Sequence, residues 1–349
     1  MKKLIQLIIL FISFAYSKGG IVSGFISDSS SGEALIGANV MIQETGQGMA
    51  TDINGYYIIQ NINPGSYTLM ASYVGFRVRR IQIIILDKES IKKDIEMVED
   101  LVQLTQVDVT AEKLQRRNNI QPSKINLSPR MMKAAPALAE PDLFRTIQAL
   151  PGVLTTSEYS TGLVIRGGNT DQNLIMLDGI TVYNPSHLGG VFSNFIVDGV
   201  KEAELIKGAY NAEYGGRLSA VLNVISREGN QKEFKGKANI SLLSAQTTLE
   251  GPFYKGAWIL SGRRTYFDLV LPKVLPDNIA TNIPPYFFYD VQGHIFSDIS
   301  SKDRLSLSYY TGIDDILFDT FGLDGRWGNN TVSGHWRRVF SERLVGNFL

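Results

Sequence analysis

The chain has 349 residues, with 34 basic and 34 acidic side chains, a formal net charge of +0 and no cysteine. Balanced charge leaves no basic field for nucleic acid, and the missing thiol excludes disulfide and thiolate chemistry. Its 33 glycines, 15 tyrosines and 17 phenylalanines suit an exported, β-rich protein of two or three domains, whose strands each carry one polar and one apolar face.

Residues 1–17 read as a cleavable export signal. Lys2 and Lys3 precede an apolar stretch over 4–14, and Ala15-Tyr16-Ser17 puts small residues at a cleavage spacing. The alternative is an anchoring helix, but crossing a bilayer takes about 20 apolar residues and the stretch is shorter. With no other long apolar run, the mature chain is either soluble after export or inserted as a β-barrel, since only helices and closed barrels satisfy their backbone in lipid.

Residues 18–99 alternate strand and turn signals at the spacing of a small β-sandwich. Strands are expected at 20–27, 35–42, 56–60 and 66–74, separated by turns at 28–32, 51–55 and Asn63-Pro64-Gly65. Asp52-Ile53-Asn54-Gly55 looks like the start of a calcium loop, but Asn63 stands where the closing glutamate belongs, so a plain turn is expected. His187, His294 and His335 are far apart and have no ligand partner at helical spacing. No zinc site is expected, and each histidine reads as a surface or loop residue.

Residues 100–122 look like a tether: an extended part, a charged part, and Pro122 at its end. The run Thr105, Gln106, Val107, Asp108, Val109, Thr110, Ala111 is short and partly β-branched. Such a segment can add itself as a strand to a partner's sheet, where main-chain hydrogen bonds resist pulling along the strand. Equally, it could be the last strand of the sandwich.

Residues 123–228 form a second folded unit. A helix is expected over 142–150, opened by Pro141-Asp142 and stopped by Pro151-Gly152. Strands follow at 163–166, 173–177, 180–183, 200–207 and 219–226, with Asp178-Gly179 as a tight turn and 184–190 as a longer loop. Arg166-Gly167-Gly168-Asn169 lacks the lysine and spacing of a phosphate loop, and there is no G-x-S-x-G elbow. Neither phosphoryl transfer nor hydrolysis is expected.

From Phe234 onward the pattern alternates in long strands. Strand signals run over 236–249, 257–266, 286–297 and 304–312, with a turn at Gly251-Pro252, and Leu305, Leu307 and Tyr309 oppose Ser306, Ser308 and Tyr310. Tyr254, Trp258, Tyr266, Phe267, Tyr286, Phe287, Phe288, Tyr289, Tyr309 and Tyr310 suit the aromatic girdles of an outer-membrane barrel, though a soluble sheet also uses such residues.

Three stretches of sequence carry a family resemblance. L-P-G-V, L-V-I-R-G-G, N-L-I-M-L-D-G-I-T-V, E-A-E-L-I-K-G and A-E-Y-G-G-R-L-S-A-V-L-N-V-I-S occur in that order between 150 and 226; this resembles the plug domain of TonB-dependent outer-membrane receptors. Upstream, L-I-G-A-N-V, T-D-I-N-G-Y-Y, P-G-S-Y-T-L and Y-V-G-F resemble the carboxypeptidase-regulatory-like sandwich that receptors of the Bacteroidetes type carry ahead of the plug. Downstream, L-E-G-P, S-G-R-R-T-Y-F-D and Y-F-F-Y-D resemble the first strands of the same receptors' barrel.

The resemblance implies a mainly β chain with a small α+β part: signal 1–17, transthyretin-like sandwich 18–99, linker 100–122, plug 123–228 and the first barrel strands 229–349. It implies that 105–111 is a TonB box, and that Arg166, Glu202, Glu204, Glu213 and Arg217 pack the plug against the barrel. A plug apical loop of Tyr183, Asn184, Pro185, Ser186 and His187 would touch ligand. Implied partners are TonB with ExbB/ExbD, outer-membrane lipid, and a small ligand such as a chelate, oligosaccharide or peptide, with no cofactor and no catalysis. The outer membrane of a Gram-negative bacterium is the expected location, with the sandwich and TonB box in the periplasm. The C-terminal segment supplies about five or six membrane strands, whereas a barrel that holds a plug needs about 20 or more; the sequence therefore reads as part of a longer receptor. The sandwich alone would also fit a secreted adhesion or carbohydrate-binding protein without a transport role.

Overall fold

The computed structural model describes residues 19–87, 89–100, 123–135, 140–157, 160–241, 243–276, 284–300, 302–318, 323–341 and 344–349. The expected export signal and TonB box lie outside the described residues. Two compact units divide the chain, one holding 19–100 and the other holding 123–339 with 345–349.

In the first unit, β1 (Gly20–Asp28) is the central strand of one sheet, antiparallel to β4 (Tyr56–Ile62). It pairs in parallel with β7 (Ser90–Lys92) along its first half and β8 (Ile95–Met97) along its second. Gly24 permits the handover, because a Cβ there would lie 2.0 Å from the Lys93 carbonyl oxygen. The second sheet has the antiparallel order β3 (Gly48–Ala50), β2 (Asn39–Ile42), β5 (Gly65–Ser72), β6 (Arg79–Ile85). Side chains from both sheets, among them Val22, Ile26, Val40, Ile42, Leu69 and Ile85, interleave in one apolar core, as expected of a sandwich.

Two local expectations resolve here. The strand expected at 35–42 forms only from Asn39, because the Thr51 hydroxyl donates to the Leu35 carbonyl and accepts from the Ala38 amide, holding 35–38 as a buried loop. Asp52 accepts from the amides of Asn54 and Tyr56, both at 2.9 Å, and Gly55 takes a φ of 72°. That is the plain turn, with the carboxylate consumed by backbone amides.

The second unit begins as a mixed five-stranded sheet in the order β13 (Ile180–Thr181), β12 (Leu174–Leu177), β17 (Val221–Ser226), β16 (Val200–Ile206), β9 (Lys124–Leu127). Only the β12–β17 pair is parallel. Asp178 and Gly179, at φ 48° and 82°, make the two-residue hairpin turn, which needs positive φ at both positions. Helix α1 (Pro129–Ala134) is capped by Ser128 and carries its proline in the first turn. Helix α2 (Leu143–Gln148) is shorter than the expected 142–150 and is capped by Asp142. Both helices contribute to a core containing Met132, Phe144, Ile147, Ile175, Leu205 and Val224. Strands β10 (Val153–Thr155) and β11 (Leu163–Ile165) form one short hairpin, and β14 (Ser186–His187) and β15 (Phe192–Ser193) another.

The rest is an antiparallel meander of seven strands in sequence order: β18 (Lys235–Ile240), β19 (Ser244–Phe253), β20 (Gly256–Thr265), β21 (Tyr286–Asp298), β22 (Asp303–Phe318), β23 (Leu323–Ser341) and β24 (Leu344–Phe348). Helix α3 (Phe267–Val274) lies between β20 and β21. Seven strands replace the expected five or six. The stretch read as one strand over 236–249 breaks into β18 and β19, and the turn falls at Tyr254-Lys255 instead of Gly251-Pro252. Pro252 is tolerated within β19, opposite Ala257.

The meander is inverted relative to a soluble sheet. On β22, Leu305, Leu307 and Tyr309 are 47%, 49% and 38% exposed, whereas Ser308 and Tyr310, on the face toward the globule, are buried. Apolar residues face outward and polar ones inward, the alternation of a membrane barrel wall. The expected aromatic girdle is only partly present, because Tyr286, Phe288 and Tyr310 turn inward and bury against the globule. Among the described residues no helix is long and apolar enough to cross a membrane.

Candidate functional site

The globule meets the inward face of the meander along a polar, ion-paired seam. At its centre is Arg263, an inward residue of β20 whose side chain is only 2% exposed. Its Nη1 donates to Glu140 Oε1 at 2.6 Å, its Nε to Asp290 Oδ2 at 2.8 Å, and its Nη2 to the Ser193 carbonyl at 2.6 Å. Glu140 belongs to the globule and also accepts from Ser244 Oγ and Gln246 Nε2 on β19. One guanidinium therefore ties two elements of the globule to two strands of the wall. Its fork geometry suits this, presenting fixed donors to carboxylates on different sides.

His187 continues the network. Its Nε2 lies 2.8 Å from Asp290 Oδ1 and its Nδ1 2.7 Å from Asp314 Oδ2. The ring stacks on Phe288 at 4.1 Å and 6°, and the Arg263 guanidinium lies 5.0 Å from the centroid of the same ring. Tyr310 donates to Asp290 at 2.9 Å, and Asp314 accepts from the Leu188 amide at 3.0 Å and from the Tyr286 hydroxyl. Burial pushes the imidazole down, but the Asp290 charge and the hydrogen bonds to Asp290 and Asp314 outweigh burial and the opposing Arg263 charge, so His187 titrates above the ordinary histidine value.

Local sequence builds this presentation. Leu188, Gly189 and Gly190 take φ of 50°, 62° and 104°, turning β14 back onto β15 within the four residues 188–191. Asp142 anchors the returning strand: one carboxylate oxygen caps α2 through the amides of Phe144 and Arg145, and the other accepts from the Ser193 amide at 2.8 Å. Asp142→Ala removes the cap and also orphans the buried Ser193 N–H. A loss of about 2 kcal/mol in denaturant unfolding is expected, with Asp142→Asn losing less.

Further along, Gln292 of β21 donates to Ser226 Oγ at 2.8 Å and reaches the Gly199 carbonyl. A Cβ at Gly199 would lie 3.0 Å from Ser261 Oγ, so the globule's backbone sits directly on the wall there. Asp198 pairs with Lys133 of the globule and Lys237 of β18, Arg227 with Glu250, and Arg304 with Glu228. Burial pushes Asp198 up, but the two lysines outweigh it and leave its carboxyl below the ordinary value.

The residues singled out in sequence fall elsewhere. Arg166 is exposed at φ 49° and donates to Ser123; Glu204 pairs with Lys124; Glu213 accepts from Asn211; Arg217 donates to the Gly216 carbonyl. Glu202 is buried in β16, and burial pushes its carboxyl up to about 7 against the pull of Lys201 and Lys124. The described partners of these five lie inside the globule, and the seam to the seven strands is made by other residues. In the apical loop, Tyr183 is 80% exposed and Asn184 to Ser186 are half-buried, but His187 is 1% exposed. A surface histidine available to ligand was expected; the wall carboxylates enclose it instead. Sequence reasoning passed over Glu140, Arg263, Asp290 and Asp314, although charged residues at inward positions of alternating strands were a visible signal.

Two family models match the chain: the CarboxypepD_reg-like domain over 22–109 and the TonB-dependent Receptor Plug Domain over 127–221. TonB-dependent receptor P26 of Formosa agariphila is 29% identical over 233 residues, covering 62% of this chain and 22% of that protein. Residues 127–221 of this chain thus carry the plug domain of TonB-dependent receptors. TonB-dependent transporter Oar of Myxococcus xanthus is 23% identical over 241 residues, covering 65% of this chain and 22% of its own length. The chain thus spans about a fifth of the length of these relatives. Among solved structures, the siderophore receptor PirA from Acinetobacter baumannii aligns at 16% identity and TM-score 0.47, covering 66% of this chain and 39% of its own. The ferric enterobactin receptor PfeA from Pseudomonas aeruginosa aligns at 18% and 0.46, covering 64% and 39%. The globule is the plug domain that the family model matches. An adhesion protein built of sandwiches does not account for the plug match.

Proposed function

We propose that the receptor to which this chain belongs takes up a ligand across the outer membrane into the periplasm, using energy delivered by TonB and its ExbB/ExbD complex. The observation that carries the reading is the seam: a plug held against an inverted wall mainly by ion pairs and hydrogen bonds such as Arg263–Glu140 and His187–Asp314. Contacts of this kind let go and re-form without unfolding an apolar core.

Residues 105–111 serve as the TonB box, offering a strand to TonB so that force is applied along the chain. The sandwich-family match ends at 109 and so overlaps this segment. The sandwich and the box face the periplasm. Tyr183, the exposed side chain of the apical loop, together with Asn184, Pro185 and Ser186, contacts a ligand of the chelate, oligosaccharide or peptide class. Arg166, Glu202, Glu204, Glu213 and Arg217 pack against wall beyond the seven described strands.

Deleting 105–111 from the full-length receptor is expected to abolish energised uptake of the substrate whose import a null strain loses, while leaving ligand binding intact. Unchanged uptake refutes the assignment.

A further inference from the structure

His187 is placed where a neutral imidazole does not fit. Both of its ring nitrogens lie within 2.8 Å of a carboxylate oxygen, one on Asp290 and one on Asp314. Any neutral tautomer would aim a lone pair at one of those oxygens. A carboxyl could supply the missing proton only from the oxygen that faces the ring, and the opposite oxygen of each is already occupied by donors that suit a carboxylate. Asp290's other oxygen is held by the Arg263 guanidinium, and Asp314's by the Leu188 amide and the Tyr286 hydroxyl.

Charge balance points the same way. The groups facing the ring are Asp290 and Tyr286 on β21, Asp314 and Tyr310 on β22, Arg263 on β20 and, behind Arg263, Glu140 of the plug; Asp142 holds the β15 strand beside it. Three carboxylates, Glu140, Asp290 and Asp314, share one guanidinium, and an imidazolium is the only further cation among these groups. The stacked Phe288 ring presents its face to that cation.

We propose that His187 is a protonated imidazolium that fastens the β14–β15 hairpin of the plug to the barrel wall, and that loss of this proton is a built-in release for the hairpin. A raised folded-state pKa gives this contribution a definite sign. The stabilisation is complete below the ordinary histidine value, near 6.5, and is lost as pH rises through the folded value. Deprotonation leaves two buried carboxylates facing a ring with a single donor, and the hairpin loses the ion pairs of His187 with Asp290 and Asp314. The inference rests on the plug reading but not on transport.

The test uses the full-length receptor in detergent with 15N-labelled histidine, the His187 signals being assigned by their loss in His187→Gln. Both ring nitrogens are expected to be protonated at pH 6.5, where an ordinary histidine is half ionised, and to lose a proton only at higher pH. A titration midpoint at or below that of free histidine overturns the proposal. Hydrogen exchange of amides 186–195 supplies the second readout. After correction for intrinsic rates, wild-type protection relative to His187→Gln should fall with rising pH, by about tenfold for each pKa unit of the upward shift. A ratio that stays constant between pH 6 and 9 overturns the release. Neither readout depends on uptake, so failure here is distinct from failure of the transport reading.

Discussion

Replacing Arg263 with alanine is expected to destabilise the plug against the wall by about 3–5 kcal/mol, because it strands Glu140 as a buried charge and leaves Asp290 with His187 as its sole cationic partner among the groups named above. The guanidinium is buried and makes hydrogen bonds to Glu140, Asp290 and the Ser193 carbonyl. Denaturant unfolding of the refolded full-length receptor, followed by a probe on the plug, measures the loss. Arg263→Lys keeps the charge but not the fork, and should recover only part of it. Glu140→Gln in the Arg263→Ala background should recover part by a different route, removing one stranded charge. A loss below about 1 kcal/mol for Arg263→Ala would mean that water reaches the seam and solvates the carboxylates.

The seam shows where reading a sequence stops. What is local was legible: the Asp178-Gly179 turn, Asp142 at the head of α2, and the alternation on β22 that places Leu305, Leu307 and Tyr309 outward. Each of these depends on neighbours a few residues away. Arg263 and Glu140, by contrast, are separated by 123 residues and His187 and Asp314 by 127. Periodicity shows that Arg263 and Asp290 face inward without naming the residue opposite. For the same reason the girdle reading erred on Tyr286, Phe288 and Tyr310: aromatic residues on a barrel strand look alike in sequence whether they face lipid or a plug. The Gly251-Pro252 turn was misplaced because proline and glycine usually end a strand, yet Pro252 sits near the end of β19, one residue before the strand's last pair, Phe253 with Gly256.

Glu202 makes the second large prediction, of the opposite sign. It is buried on β16, and burial outweighs the charges of Lys201 and Lys124, so its carboxyl titrates at about 7 in place of the usual 4.5. Nearby Lys124 is itself pushed down by burial against the pull of Glu202 and Glu213, so that corner of the plug is poorly solvated for either charge. A raised folded value means that Glu202 favours folding fully below pH 4.5, and that this advantage is lost as pH rises through about 7. The whole span is worth about 3 kcal/mol. Glu202→Gln should therefore be close to neutral at pH 4.5 and stabilising by up to about 3 kcal/mol at pH 8, read from urea unfolding of the full-length receptor at both values. Glu204→Gln is the contrasting control, since Glu204 is ion-paired with Lys124 and its loss should destabilise at pH 8. If Glu202→Gln changes stability equally at both pH values, Glu202 is ionised in the folded receptor. Only a cation from the wall, reaching β16 from outside the plug, could then offset the cost of burying it.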